Sequence, residues 1–339
     1  MFSRILSKKK FALILFLLIL SLFVIVVSVS MGSAPISLGD LMRIGTGGAE
    51  NVSPLLKSIL VEVRIPRVLL SFLTGLALGA SGTVMQSLLQ NPLASSYTLG
   101  VSSGASLGAS IVMMSGLSLM TPALAMSAGG FVFGLITVFL VLILAQRFSK
   151  AMDNQTIILV GMVFSLFINS FLTMLMTFSP DYMQRIIFWQ LGSFSGASWS
   201  NVQFLFVILL FSFFFLLYFH REMDILSFGD EFALSQGVEV RRTKWILISL
   251  STLLTGVSVA MTGVIGFIDL IAPHMARRLF GSTHKWVLPS SALLGGLLCV
   301  VADTLARSVL SPREVPIGAV TALVGAPFFC YIFFRKGKE

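Results

Sequence analysis

From Val68 to Gln146 the chain runs for 79 residues without a single Asp, Glu, Lys, Arg or His. Such a stretch gives a water-soluble fold no charged surface to present, so it points to a lipid environment. A helix needs about 20 apolar residues to cross a bilayer's hydrocarbon core. Broken at Asn91-Pro92 and at Gly116 to Pro122, the stretch has room for three crossings. The remainder continues the pattern, with 56% of the 339 residues hydrophobic and 11% charged. Backbone polar groups in lipid must be satisfied within the chain, which favours helices.

Phe11 to Ser30 follows Arg4, Lys8, Lys9 and Lys10. Its apolar core is too long for a secretory signal, so it is span one, 11–30, with its basic end inside. Further runs lie at 155–178, 199–219, 245–266, 286–308 and 316–334, with a shorter one at 268–280, for a total of ten spans. With the amino terminus inside, the inner segments (the amino terminus, the segment around Arg147 with Lys150, Arg221 to Lys244, Arg277 to Lys285 and the Arg335 to Lys338 tail) carry 16 basic residues and the outer ones seven. The net charge of +9 is therefore a topology signal and not a nucleic-acid signal. Cys299 and Cys330 fall inside spans and suggest neither a disulfide framework nor a metal site.

An internal repeat is also visible. Leu73-Thr74-Gly75, Gly82, Pro92 and Gly100 recur as Leu254-Thr255-Gly256, Gly263, Pro273 and Gly281, every pair offset by 181 residues. Five spans separate the two starts, so the copies insert in opposite directions, a transporter feature. The expected fold is an all-α polytopic membrane protein, a single domain over 1–339. Its repeats cover about 61–178 and 243–334, with a cytoplasmic loop at about 220–244. Glycines four apart, Gly75 with Gly79 and Gly100 with Gly104 and Gly108, imply close helix packing. Gly100 to Gly104 also matches the G-x-S-x-G nucleophile pattern, but no strand precedes it and no histidine lies near.

The motif series is specific. Arg64-Ile65-Pro66-Arg67, Gln90-Asn91-Pro92-Leu93-Ala94, Leu99 to Ala105, Gly229-Asp230-Glu231-Phe232-Ala233, Gly263 to Phe267, Ala272-Pro273-His274, Ala302-Asp303-Thr304 and Pro316-Ile317-Gly318 occur in that order over about 61–334. The series resembles the FecCD/BtuC-type permeases of ferric-siderophore and cobalamin ABC importers. That resemblance implies the type II importer fold, pairing with a second permease, two cytoplasmic ATPases and an extracytoplasmic binding protein. It implies a multi-pass protein of the bacterial cytoplasmic membrane with both termini inside, importing ferric siderophore or else cobalamin or haem. No nucleic acid, and no cofactor held by this chain, is implied. Position 269 is Asp where the family more often has Gly. Such an acid either serves the route or gate, or closes a helix end by local hydrogen bonds. His274 is expected to pack or cap.

Three sets of site residues follow. Arg64, Arg67 and Arg307 fall at the outer surface by topology. The resemblance implies that they meet carboxylates of the binding protein, while helix-end anchoring or pairing with Glu62 or Asp303 is the alternative. Gly229, Asp230, Glu231, Ala233 and Gly237 read as a short helix that the resemblance makes the ATPase-coupling segment. The chain has no G-x-x-x-x-G-K-[ST] loop, so ATP hydrolysis is assigned to another polypeptide and this chain is not an enzyme. Ser165, Asn169, Thr173 and Thr177 form a polar stripe proposed to line the route, with interhelical bonding as the alternative. An ion-coupled secondary carrier would share the repeat but needs more ionisable groups in its spans than Asp269 and Asp303.

Overall fold

The computed structural model describes residues 2–32, 39, 53–115, 122–149 and 152–336. Gly116 to Thr121 within the expected break, and Lys338 in the basic tail, lie outside the described residues. The helices in order are α1 (Phe2–Ser30), α2 (Pro54–Leu88, with a π-helical stretch Ile59–Arg64), α3 (Val101–Ser115), α4 (Pro122–Phe148), α5 (Asn154–Phe178), α6 (Pro180–Gln190) and α7 (Trp199–Tyr218). Then follow α8 (His220–Leu226), α9 (Asp230–Ser235), α10 (Val240–Thr262), α11 (Ile268–Phe280), α12 (His284–Ser308) and α13 (Ile317–Lys336).

Among the described residues seven helices, α1, α2, α4, α5, α7, α10 and α12, are long and apolar enough to cross a membrane. α3 and α13 are shorter apolar helices. At 13 residues α11 spans only about 20 Å. Residues 263–266 ahead of it have no regular secondary structure. Among the described residues the seven long helices and the shorter α3, α11 and α13 correspond in order to the ten segments that hydropathy implies.

Contacts fix the directions. Arg67 of α2 meets Asp303 of α12 at one end, and Ser87 of α2 meets His284 of α12 at the other, so these two helices are antiparallel. Trp199 donates to the Val61 carbonyl at the starts of α7 and α2, and Gln90 reaches the Leu226 carbonyl beyond their ends, so α2 and α7 are parallel. α10 begins beside α9, where Lys244 meets Asp230, and ends where the Thr262 carbonyl accepts from the Ser193 amide. Hence α2 and α10, which open the two repeats, run oppositely, as an inverted repeat requires. The two faces are termed the arginine end and the loop end.

The repeats are equivalent only in part. Gly82 sits buried inside α2, six residues before its end, whereas Gly263 caps α10 with φ +73°. Pro92 lies between helices and Pro273 inside α11. Thus the seventh crossing starts at Val240 and stops at Thr262, earlier at both ends than hydropathy suggested, because the left-handed glycine ends it. α6 was not expected as a separate helix. Pro180 at its first turn and Asp181 behind it are ordinary start signals.

α2 and α12 form the centre, with 83% and 78% of their most apolar windows buried against 22% for α1 and α5. Gly75 makes this possible, since a Cβ there would overlap the Gly295 carbonyl, and one at Gly79 would overlap that of Ser291. Backbones packed this closely gain dispersion contacts that lipid cannot replace. Gly104 and Gly108 do the same for α3 against Thr137 and Gly129 of α4.

Candidate functional site

At the arginine end the structure brings Arg64, Arg67 and Arg307 together, each buried. Arg67 is gripped from both sides. Its Nη2 and Nε lie 2.8 and 3.0 Å from Asp303 Oδ1, and its Nη1 lies 2.6 Å from Glu314 Oε1. Arg307 donates to the carbonyls of Ser28 (2.6 Å) and Met31 (3.1 Å), and its Nε is 3.5 Å from Asp303. Arg64 donates to the Val29 and Ser30 carbonyls. The planar fork suits all three tasks, because one guanidinium can satisfy several oxygens at once. The arginines thereby tie the end of α1 to α2, α12 and the segment before α13. Glu314 is the most open member, with its side chain 41% exposed.

At the loop end, Asp230, Glu231 and Ala233 lie on the short helix α9, bracketed by Gly229 and Gly237. Both glycines have positive φ, +117° and +82°, so the boundaries expected from sequence are where the backbone turns. Ala233 is buried, whereas Phe228, Phe232 and Leu234 are 77%, 46% and 61% exposed. Asp230 is held by Lys244, whose ammonium also reaches Asn154 Oδ1 (2.8 Å) and the Met152 carbonyl (3.1 Å). Close by, Asp153 caps α5 by accepting from the Thr156 amide. The Ser149 hydroxyl, helped by that amide, holds the Asp153 carboxyl below the usual carboxylate range.

The α5 stripe divides. Ser165 and Asn169 line a cavity of about 350 Å³ together with Tyr97, Ser102, Ser103 and Ser106. Thr173 and Thr177 are exposed, and their hydroxyls return to the carbonyls of Asn169 and Thr173 at 2.9 Å. Back-bonding of this kind lets a hydroxyl face an apolar or aqueous surface without an unmet donor. The surrounding face of α5 is apolar and exposed, including Val163, Leu166 and Phe167.

A polar cluster that the sequence marks only at Asp269 runs from within the bundle to the loop end. That residue is buried in the first turn of α11, where a helix start favours an anion. Its carboxylate accepts from the Ser95 hydroxyl, 174 residues away. It therefore joins the breaks of the two repeats. Tyr97 adds a bond to the Ile265 carbonyl at 3.0 Å. His274 packs edge-on against Phe328. Gln86, within the uncharged stretch, is the sequence signal for the rest of the cluster, which includes Arg277, Ser87, His284 and Asp224.

Comparison with known proteins places this architecture. Residues 17–335 match the FecCD transport family. The chain is 35% identical to the hemin transport system permease protein HmuU of Yersinia pestis over 96% of each chain. It is 34% identical to the Fe(3+) dicitrate transport system permease protein FecD of Escherichia coli strain K12, over 96% of this chain and 99% of that one. A solved metal-chelate type ABC transporter in an inward-facing conformation superposes with a TM-score of 0.84 at 29% identity, over 96% of this chain and 99% of its own. Fold and relatives together define an integral membrane permease of the type II ABC importer class, a transport subunit and not an enzyme. The chain belongs to the FecCD transport family, as its motif series implied.

Proposed function

We propose that this permease carries a ferric siderophore across the bacterial cytoplasmic membrane, paired with a second permease, driven by two ATPases and fed by an external binding protein. Its similarity along almost its whole length to a ferric dicitrate permease carries this reading. Haem is the second reading, favoured by the similarity to a hemin permease. The loop end faces the cytoplasm, since Lys8, Lys9, Lys10, Arg147, Arg221, Arg241 and Arg242 cluster there, and both termini lie inside. No cofactor is assigned to the chain.

The roles follow from the two ends. α9, with Gly229, Asp230, Glu231, Ala233 and Gly237, seats an ATPase, and the exposed Phe228, Phe232 and Leu234 supply its apolar contact. The route runs past Ser165, Asn169, Thr173 and Thr177, with the exposed face of α5 turned towards the second permease. The binding protein docks at the end that carries Arg64, Arg67 and Arg307. Because Arg67 is already held by Asp303 and Glu314, a docking carboxylate has to displace the half-exposed Glu314. The test is uptake of radio-iron by a deletion strain complemented with this chain, offered as ferric citrate, hydroxamate and catecholate complexes and as haem. ATP-dependent uptake of one iron chelate supports the proposal. Uptake of haem alone moves it to the second reading, and uptake abolished by a protonophore at constant ATP overturns it.

A further inference from the structure

We propose that His284 is a positioning residue that couples the ATPase-docking platform to the break ahead of α11. This inference rests on the importer reading above. A chain of side-chain hydrogen bonds runs from α8, which packs beside α9, into the membrane. His284 Nδ1 lies 2.6 Å from Asp224 Oδ1, and its Nε2 lies 2.5 Å from Ser87 Oγ. Arg277 Nη2 donates to Ser87 Oγ at 3.1 Å, and Nη1 donates to Gln86 Oε1. Gln86 Nε2 then faces the carbonyls of Asp269 and Leu270, at 3.4 and 3.3 Å.

Donor inventory gives the chain a single direction. A carboxylate only accepts, so a neutral His284 carries its hydrogen on Nδ1 and accepts at Nε2. Ser87 then donates its hydroxyl hydrogen to His284, and its oxygen is free to accept from Arg277. Arginine only donates, which makes Gln86 present its oxygen to Arg277 and its amide hydrogens to α11. Every link is satisfied in one sense, and four helices, α8, α12, α2 and α11, are joined in series. At the far end Asp269 holds Ser95, so a displacement of α11 is passed to the break in the first repeat. His284 and Ser87 are buried, and in a low-dielectric interior such a chain is costly to leave half made. Displacement of α8 by the ATPases therefore carries Asp224, His284 and the start of α11 together. A separate bond, from the His284 backbone amide to Asp224 at 2.8 Å, keeps α8 on α12 whatever side chain stands at 284.

The experiment compares H284L, S87A and H284Q in the full complex of permeases, ATPases and binding protein in liposomes. The readout is radio-iron taken up per ATP hydrolysed, with the iron chelate that the wild type transports. H284L and S87A should assemble and hydrolyse ATP, yet lose about five-fold or more in uptake per ATP, the lower range of a coupling free energy. H284Q offers a donor and an acceptor in the same order and should restore most of it. An unchanged ratio in both disrupting variants overturns the proposal. So does failure of S87A to assemble, because the chain would then hold the fold and not transmit motion. A wild type that hydrolyses ATP without uptake fails the importer reading instead, which the same liposomes reveal separately.

Discussion

Lys244 Nζ lies 2.5 Å from Asp230 Oδ2, with the lysine side chain wholly buried and that of the aspartate 27% exposed. The asymmetry sets the order of mutant effects. Lys244→Met strands the Met152 carbonyl, Asn154 and Asp230 at once, and should cost about 2–4 kcal/mol after allowing for the hydration open to Asp230. Asp230→Asn keeps an acceptor for the lysine and should cost about 1 kcal/mol. Thermal unfolding in detergent ranks the two, and equal losses would contradict the asymmetry.

At the arginine end, Asp303 is 1% exposed and depends on Arg67. Arg67→Leu should destabilise by about 3–5 kcal/mol, since it leaves a buried carboxylate with only Arg307 nearby. Adding Asp303→Leu should recover part of the loss, so a double-mutant cycle gives a coupling well above additivity. Glu314→Gln should change stability little, as expected for a partner that solvent can replace.

Contact between α2 and α12 predicts a steric penalty from a single methyl group. Gly75→Ala should destabilise by about 1–3 kcal/mol, because the obstacle is the Gly295 carbonyl and not a flexible side chain. Gly266→Ala, with nothing within 4 Å of its added Cβ, is the control and should leave unfolding unchanged.

The Asp153 cap predicts a pH dependence. Its carboxyl is held below the ordinary value of about 3.9. The cap's contribution is then fully present above that value and is lost as pH falls through the lower folded one. Asp153→Ala should remove about 1 kcal/mol at neutral pH. The gap between wild type and variant should close on acidification, measured by hydrogen exchange at the start of α5.

If the cavity beside α5 belongs to an aqueous route, Asn169→Cys in a Cys330→Ser background should react with a small membrane-impermeant thiol reagent in at least one nucleotide state. Val163→Cys, on the apolar exposed face, should not. Silence at position 169 in every state would remove α5 from the route.

Much of this molecule is legible in its sequence, for a physical reason. Crossing a bilayer demands long apolar runs, and these are local, so ten segments can be counted from composition alone. α9 is legible too, because Gly229 and Gly237 mark both of its ends. Other features depend on residues far apart in the chain. Asp269 announces itself as an acid among Ile268 and Leu270, but its partner Ser95 is one of many serines in the chain and nothing local selects it. The three arginines fall together at one end of the bundle, but their burial depends on Ser28, Met31 and Glu314, which no spacing rule connects. The repeat offset located α10 but not its end, since Gly82 and Gly263 are the same residue type in opposite backbone roles.

Where Gly75 and Gly295 meet, no layer of side chains separates the two backbones. Packed side chains can trade rotamers and let helices slide, but two main chains in contact have no such slack. α2 and α12 therefore act as a keel. Any change of shape has to carry the two as one body, because sliding one along the other would drive carbonyl oxygens into the facing main chain.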